Sequence, residues 1–228
     1  MRIVAGKHGG RRLQAPAGSA VRPTSERARE ALFNILAHGR FAPMPVFQDA
    51  RVLDVFAGTG ALGLEALSRG ARFATFIEND RAARTALAQN VKSLGEDART
   101  RILAADGTRL PRADGPYDLV FLDPPYRSGL AERALASLKE MGWLAPQALV
   151  ILELAAREKF APPPGFEVLE ERRYGAGRLV FLKLTEDFSS APSSRGALGS
   201  GRRPTQGQAP RRSDPESGPP WMASLRSQ

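Results

Sequence analysis

From Val52 onward, short runs of aliphatic and β-branched residues alternate with segments whose apolar positions recur every three to four residues. Arg51–Val55, Phe73–Ile77, Arg101–Ala104, Tyr117–Leu122 and Ala148–Leu152 read as buried strands. Between them lie helical patterns over Ala61–Arg69, over a segment that places Ala83, Leu87, Val91 and Leu94 on one face, and over Ala131–Met141. Such alternation implies a parallel, doubly wound sheet with helices on both faces. After Leu152 the pattern changes. Glu167–Tyr174 and Arg178–Leu184 flank Gly175-Ala176-Gly177, which predicts a closing antiparallel hairpin.

Ahead of the first strand, Pro23-Thr24-Ser25-Glu26 carries a hydroxyl cap and an acid in the first turn, a helix start. Ala28, Ala31, Leu32, Ile35 and Leu36 form its expected apolar stripe, with Arg27 and Glu30 off it. Arg2–Leu13, with Gly9-Gly10 inside, reads as a short basic hairpin. At the other end, 44 residues from Thr185 to Gln228 hold nine Ser, six Pro and five Gly, with no Ile, Val or Tyr. That composition buries too little apolar area to offset chain entropy, so a disordered tail is expected. The expected organisation is 1–40 as an RNA-facing hairpin and helix, 41–184 as the main domain, and 185–228 as the tail.

Composition narrows the classes of function. No apolar stretch approaches the roughly 20 residues needed to span a bilayer, and the N-terminus lacks the apolar core of a signal peptide. A soluble, cytoplasmic protein is expected. The chain has no cysteine and two histidines, which excludes thiol chemistry and disulfides and leaves no metal site to expect. Its net charge is +9. Residues 1–30 hold seven basic and two acidic residues, a net +5, so more than half of the excess lies in a patch suited to a polyanion. Lys7, Arg11, Arg12, Arg22, Arg27 and Arg29 are the candidate phosphate contacts. For Arg27 the competing reading is an i,i+3 surface pair with Glu30. A monomer is expected, because no long apolar surface stripe is left over.

The candidate chemistry lies at the ends of the strands. Asp123-Pro124-Pro125-Tyr126 follows Leu119-Val120-Phe121-Leu122 directly. The lone pair of a nucleobase NH2 is delocalised into the ring. The Asp123 carboxylate and the Pro124 carbonyl together suit holding both amine hydrogens, so that the lone pair faces an electrophile. Prolines 124 and 125 stiffen the turn, and Tyr126 offers a face on which a splayed-out base stacks, worth roughly 1–3 kcal/mol. At the first strand, Asp54 precedes Phe56-Ala57-Gly58-Thr59-Gly60, and Gly58, Gly60 and Gly63 match the G-x-G-x-x-G nucleoside-cofactor turn. A carboxylate at Asp54 suits an ammonium better than a pyrophosphate. Glu78, ending the second strand, suits the ribose hydroxyls, and Asp106, past the third, suits an adenine amine. These features fit S-adenosylmethionine.

Asp54-x-x-x-Gly58-x-Gly60 together with Asp123-Pro124-Pro125-Tyr126 resembles the class I, Rossmann-like amino-methyltransferases. Arg22-Pro23-Thr24-x-x-Arg27-x-Arg29-Glu30-x-x-Phe33-Asn34, Phe56-Ala57-Gly58-Thr59-Gly60-Ala61-Leu62-Gly63-Leu64-Glu65-Ala66 and Gly142-Trp143-Leu144 resemble the RsmD family over roughly residues 1–184. The resemblance implies a mostly parallel seven-stranded sheet. It also implies methyl transfer to N2 of the guanine numbered 966 in 16S rRNA of the small ribosomal subunit or its assembly intermediate. The N-terminal hairpin and the Arg22–Asn34 run are then RNA-facing, and nothing is implied for the tail. Three rival readings remain: an amino-methyltransferase acting on adenine N6 or cytosine N4 of DNA or another RNA, a nicotinamide-dependent dehydrogenase, and a non-catalytic RNA-binding assembly factor.

Overall fold

The central sheet has the strand order β3-β2-β1-β4-β5-β7-β6. In this computed structural model residues 1–16, 26–38, 41, 45–125 and 129–185 are described. β1 (Arg51–Val55), β2 (Phe73–Ile77), β3 (Thr100–Leu103), β4 (Tyr117–Leu122) and β5 (Leu144–Ala155) run parallel. β6 (Phe166–Tyr174) and β7 (Gly177–Leu184) form the expected hairpin, and β7 inserts antiparallel between β5 and β6. The architecture is thus the Rossmann-like one anticipated, with seven strands.

Strand residues alternate between two cores. Val52, Phe76, Leu119, Phe121, Ile151 and Phe181 face one core with α1 (Glu26–Ala37), α2 (Ala61–Ser68) and α3 (Arg81–Leu94). Leu53, Val55, Val120, Leu122, Val150 and Leu182 face the other with α4 (Leu130–Glu140). This period-2 alternation on strands apolar on both faces is what covering both sides of a parallel sheet demands. Chain order runs outward from β1 to β3 and then returns to β4 beside β1. The gap between β1 and β4 is therefore a topological switch point, where open α/β sheets bind ligands.

β5 is longer than the Ala148–Leu152 run suggested. Of its first residues only Leu144 pairs, with Tyr117 of β4; residues 145–148, Pro146 among them, fall in the register shift before Leu149, where pairing with both β4 and β7 resumes. A proline is tolerated where no partner strand needs its N–H.

The inward stripe of α1 also differs. Arg29, Leu32, Phe33 and Leu36 are buried, while Ala28, Ala31 and Ile35 are only half-buried, a rotation of about one residue from the expected face. Phe33 drives it, packing on Phe47 and on Phe121 of β4 at centroid separations of 5.9 and 5.7 Å. The helix start at Pro23-Thr24-Ser25 and the tail beyond Thr185 lie outside the described residues. Among the described residues no helix is long and apolar enough to cross a membrane.

The N-terminal segment forms the anticipated hairpin, with Ile3 N donating to the Arg11 carbonyl and Gly10 N to that of Ile3, each at 2.9 Å. It packs into the same compact unit as the sheet, Met1–Ser189. Two buried carboxylates fasten it. Glu65 of α2 accepts from Val4 N at 2.6 Å and Ala5 N at 3.0 Å, and also from Arg69 Nε at 2.7 Å. Glu96 meets the buried His8 ring at 2.5 Å and takes two hydrogen bonds from Arg99. Burial pushes the Glu96 carboxyl up, but the hydrogen bonds from His8 and Arg99 and the charges of Arg99 and Lys7 outweigh it and hold it below its ordinary value.

Candidate active site

Val55 of β1 and Leu122 of β4 are register partners, so the two chain segments that leave the sheet after them start side by side. Asp123 N reaches back to the Val55 carbonyl at 3.4 Å. After β1 the backbone turns sharply. Phe56 adopts φ 60°, a left-handed conformation that a bulky residue holds only when its surroundings impose it. Gly58 follows at φ 54°, and a Cβ there would meet open space, so the bare backbone is presented outward. Gly63 serves packing instead, since a Cβ on it would lie 2.4 Å from the Phe76 ring. Ala57 N donates to the Ile77 carbonyl at 3.1 Å, and the Ala57 carbonyl accepts from Gly60 N at 2.7 Å, which closes the turn into α2.

Asp54, 2% exposed, accepts from Gly63 N at 2.9 Å. That amide belongs to the first turn of α2, whose N-terminal donors have no partner within the helix, so the carboxylate also meets the positive end of the helix dipole. Burial nevertheless pushes its pKa up to about 7, with the charge of Glu78 adding to the rise. Glu78 bridges the ends of two strands, Oε2 accepting from Gly58 N at 2.7 Å and Oε1 from Asp80 N at 2.8 Å. A carboxylate has about four acceptor positions, so capacity for two further donors is left. Asp106 lies exposed past β3, its Oδ1 accepting from both Thr108 N and Thr108 Oγ1 at 2.8 Å. Those two bonds hold it below the ordinary carboxylate value. The neighbouring Gly107 packs so closely that a Cβ would be 2.8 Å from the Phe56 ring, which ties the Asp106 turn to the glycine turn.

Asp123 is raised well above the ordinary value, by burial first, then by the charges of Glu153 and Asp54. Pro124 is buried and Pro125 exposed. Tyr126 lies outside the described residues. Glu153 is a member of this acidic group that no motif pointed to. Its signal in the sequence is a single acid inside the apolar run Leu149-Val150-Ile151-Leu152-Glu153-Leu154 of β5. The charges of Asp54 and Glu153 both act on Asp123, so these three half-buried or buried carboxylates form an acidic group beside which a cation is stabilised.

The expected phosphate contacts divide. Lys7, Arg11, Arg12 and Arg27 are exposed. Lys7 Nζ lies 3.7 Å from Glu96, and Arg11 donates to the Ser93 carbonyl at 2.8 Å. Arg22 lies outside the described residues. Arg29 is corrected: it is 1% exposed, its guanidinium 3.8 Å from Glu65 and hydrogen-bonded to the Arg2 carbonyl, so it holds the fold together instead of facing a ligand. Burial lowers its pKa against the opposing charge of Glu65. Asn90, another residue without a sequence signal, lies buried in α3. It pairs with Gln14 through both N–H and carbonyl and donates to the Thr59 carbonyl at 3.0 Å, which couples the N-terminal segment to the glycine turn.

The family described as Conserved hypothetical protein 95 matches residues 1–183. Ribosomal RNA small subunit methyltransferase D of Escherichia coli strain K12 is 44% identical over 154 residues, 67% of this chain and 74% of that protein. The protein of the same name from Haemophilus influenzae is 37% identical over 179 residues, 77% of this chain and 89% of its own. The solved structure of yhhF from Escherichia coli, 38% identical, superposes with a TM-score of 0.70 over 81% of this chain and 98% of that one. With the glycine turn and the Asp-Pro-Pro turn meeting at the β1–β4 switch point of such a sheet, the chain belongs to the RsmD family of methyltransferases.

Proposed function

We infer that the protein methylates the exocyclic N2 amine of a guanine in 16S rRNA of the small ribosomal subunit, guanine 966, with S-adenosylmethionine as methyl donor. The observation that supports it best is the acidic group at the switch point, where the charges of Asp54 and Glu153 act on Asp123 beside a glycine turn open at Gly58. Such an acidic group suits a ligand with an ammonium and a sulfonium, and Asp123 ties it to the Asp-Pro-Pro turn.

S-Adenosylmethionine, when bound, supplies an electrophilic methyl carbon and a neutral thioether leaving group. Asp54 receives the ammonium, Glu78 the ribose hydroxyls and Asp106 the adenine amine, while Phe56, Ala57, Gly58 and Gly60 present backbone to the nucleoside. The target guanine leaves its stack, at a cost of a few kcal/mol, and Tyr126 offsets part of that by stacking. Asp123 and the Pro124 carbonyl accept the two N2 hydrogens and point the lone pair at the methyl carbon. Transfer would join the methyl carbon to N2 and leave a neutral thioether, and the surplus N2 proton would then pass to water. Ligand cations favour the ionised forms of Asp54 and Asp123, and a carboxylate buried as Asp123 is holds a proton more firmly than one in water.

Transfer of labelled methyl to small subunits from cells lacking this protein, followed by mass spectrometry of the nucleosides, tests the reading. N2-methylguanosine at one 16S rRNA site supports it. Transfer to DNA or to another RNA instead overturns the substrate while keeping the amine chemistry, and binding without transfer overturns the enzyme.

Two predictions concern the donor. Asp54 is protonated in the free protein below about pH 7, and the ammonium requires the anion. Affinity therefore rises with pH, by up to about tenfold per unit below that value, and levels off above it. Calorimetric titrations across this range, in buffers of different protonation enthalpy, measure the affinity and the proton released; a flat profile removes Asp54 from the ligand site. Glu78→Ala weakens cofactor binding by about tenfold or more, the worth of lost charged hydrogen bonds. A titration giving wild-type affinity removes the ribose role.

A further inference from the structure

Outside the switch point, α3 and the edge strand β3 enclose a groove of about 540 Å³ lined by Arg81, Arg84, Thr85, Ala88, Gln89, Lys92, Ile102 and Ala104. Its helix residues are spaced three, one, three, one and three apart, so they form a single outward stripe of α3. Three of them are cationic, and none of the described residues lining the groove is acidic. Arg81 and Lys92 are exposed. At 1.5 Å per residue they are separated by about 16 Å along the helix, room for several successive phosphates.

Both ends of the groove lead to elements already described. At the C-terminal end of α3, Arg11 of the N-terminal hairpin donates to the Ser93 carbonyl at 2.8 Å, which brings a fourth cation into line with Lys92. At the N-terminal end, Arg84 donates to the Glu78 carbonyl at 3.0 Å and the Asn79 carbonyl at 2.6 Å, at the rim of the candidate donor site. Cations therefore run without an intervening acid of the lining from the hairpin, along α3, to the carboxyl ends of β2 and β3.

We propose that this α3–β3 groove is a docking surface for the sugar–phosphate backbone of the RNA substrate, with Arg81, Arg84 and Lys92 as phosphate contacts that continue the basic hairpin toward the active site. The proposal rests on the reading of the protein as an rRNA methyltransferase. It extends the RNA interface to an element that carries no recognition motif. Ile102, Ala104 and Ala88 give the groove an apolar floor against which riboses pack, and the arginines and lysine select for charge, not base sequence.

The test is an Arg81→Gln/Lys92→Gln double variant, which spares Arg84 and its contacts at the rim. A second double variant, Arg112→Gln/Arg173→Gln, removes the same charge from exposed positions elsewhere. Binding to a 16S rRNA fragment and to small subunits lacking the modification is measured at several salt concentrations, with cofactor affinity measured in parallel. In the groove variant RNA affinity is expected to fall about tenfold, and the slope of log K against log salt to shrink by about one to two, near 0.7–0.9 per lost phosphate contact. Cofactor affinity and the distant variant stay at wild-type values. An unchanged slope in the groove variant, or an equal loss in both variants, overturns the proposal. A loss on the assembled particle with an unchanged slope on naked RNA assigns the groove to a ribosomal protein and overturns it too. Wild-type protein that neither binds nor methylates rRNA fails the functional reading itself, a result distinguishable from failure of the groove alone.

Discussion

Replacement of Asp123 by alanine is expected to lower kcat for methyl transfer about a thousandfold, in the range seen when a preorganised polar group aimed at the reacting centre is removed. Cofactor affinity changes little, because the proposed contact of Asp123 is with the target amine. Asp54, which would receive the donor's ammonium, owes its raised pKa to its own burial and to the charge of Glu78, so the substitution leaves that anchor as it was. Rapid-quench single-turnover assays separate the chemical step from binding. A kcat within threefold of wild type would sink the amine-holding mechanism. Asp123→Asn sharpens the test: its amide carbonyl still accepts one hydrogen while the Pro124 carbonyl accepts the other, so it recovers part of the rate that alanine loses.

The second large effect is on stability. Glu65→Ala removes a fully buried carboxylate that accepts from Val4 N, Ala5 N and Arg69 and faces the guanidinium of Arg29. Arg29 Nε and Nη1 are buried without hydrogen-bond partners, so after the substitution a desolvated cation is left with no counter-charge from α2. Breaking a buried pair in this way destabilises by about 3–5 kcal/mol. Chemical denaturation measures the loss, and trypsin cleavage at Lys7, Arg11 and Arg12 is expected to accelerate as the hairpin comes away. A change below about 1 kcal/mol would show that the hairpin is held by its other contacts, the Glu96–His8 pair, Ser68 and the apolar packing.

Much of this was legible in the chain. The strands are short apolar runs that end abruptly, so Asp54, Glu78, Asp106 and Asp123 could be assigned to carboxyl ends before any coordinates, and the β1–β4 adjacency follows from the doubly wound order. The glycines of the first turn were legible as a group but not individually, since Gly63 is required by the Phe76 ring and Gly58 by the backbone. What stayed hidden are contacts between residues far apart in sequence. Arg29 carries the charge of a surface residue, and only Glu65, thirty-six positions later, makes its burial tolerable. Glu96, His8 and Asn90 likewise gain their roles from partners across the fold. Glu153 was visible as an oddity in an apolar strand, but nothing in one dimension says that its charge acts on Asp123.

The two open margins of the sheet have a further consequence, for what the molecule avoids. β3 is four residues long, and β6 carries Glu167, Glu170, Glu171, Arg172 and Arg173. A strand margin is a template on which other chains add by main-chain pairing, with fibrous aggregation as the end point. Adding a strand to β3 gains few ladder bonds, and adding one to β6 brings a foreign strand against closely spaced charges of both signs. The hydrophobic runs that build the interior of this sheet, Leu119–Leu122 and Leu149–Leu152, are each hydrogen-bonded on both sides. The segments most prone to aggregate are thus the ones the topology keeps from any intermolecular partner while the protein stays folded.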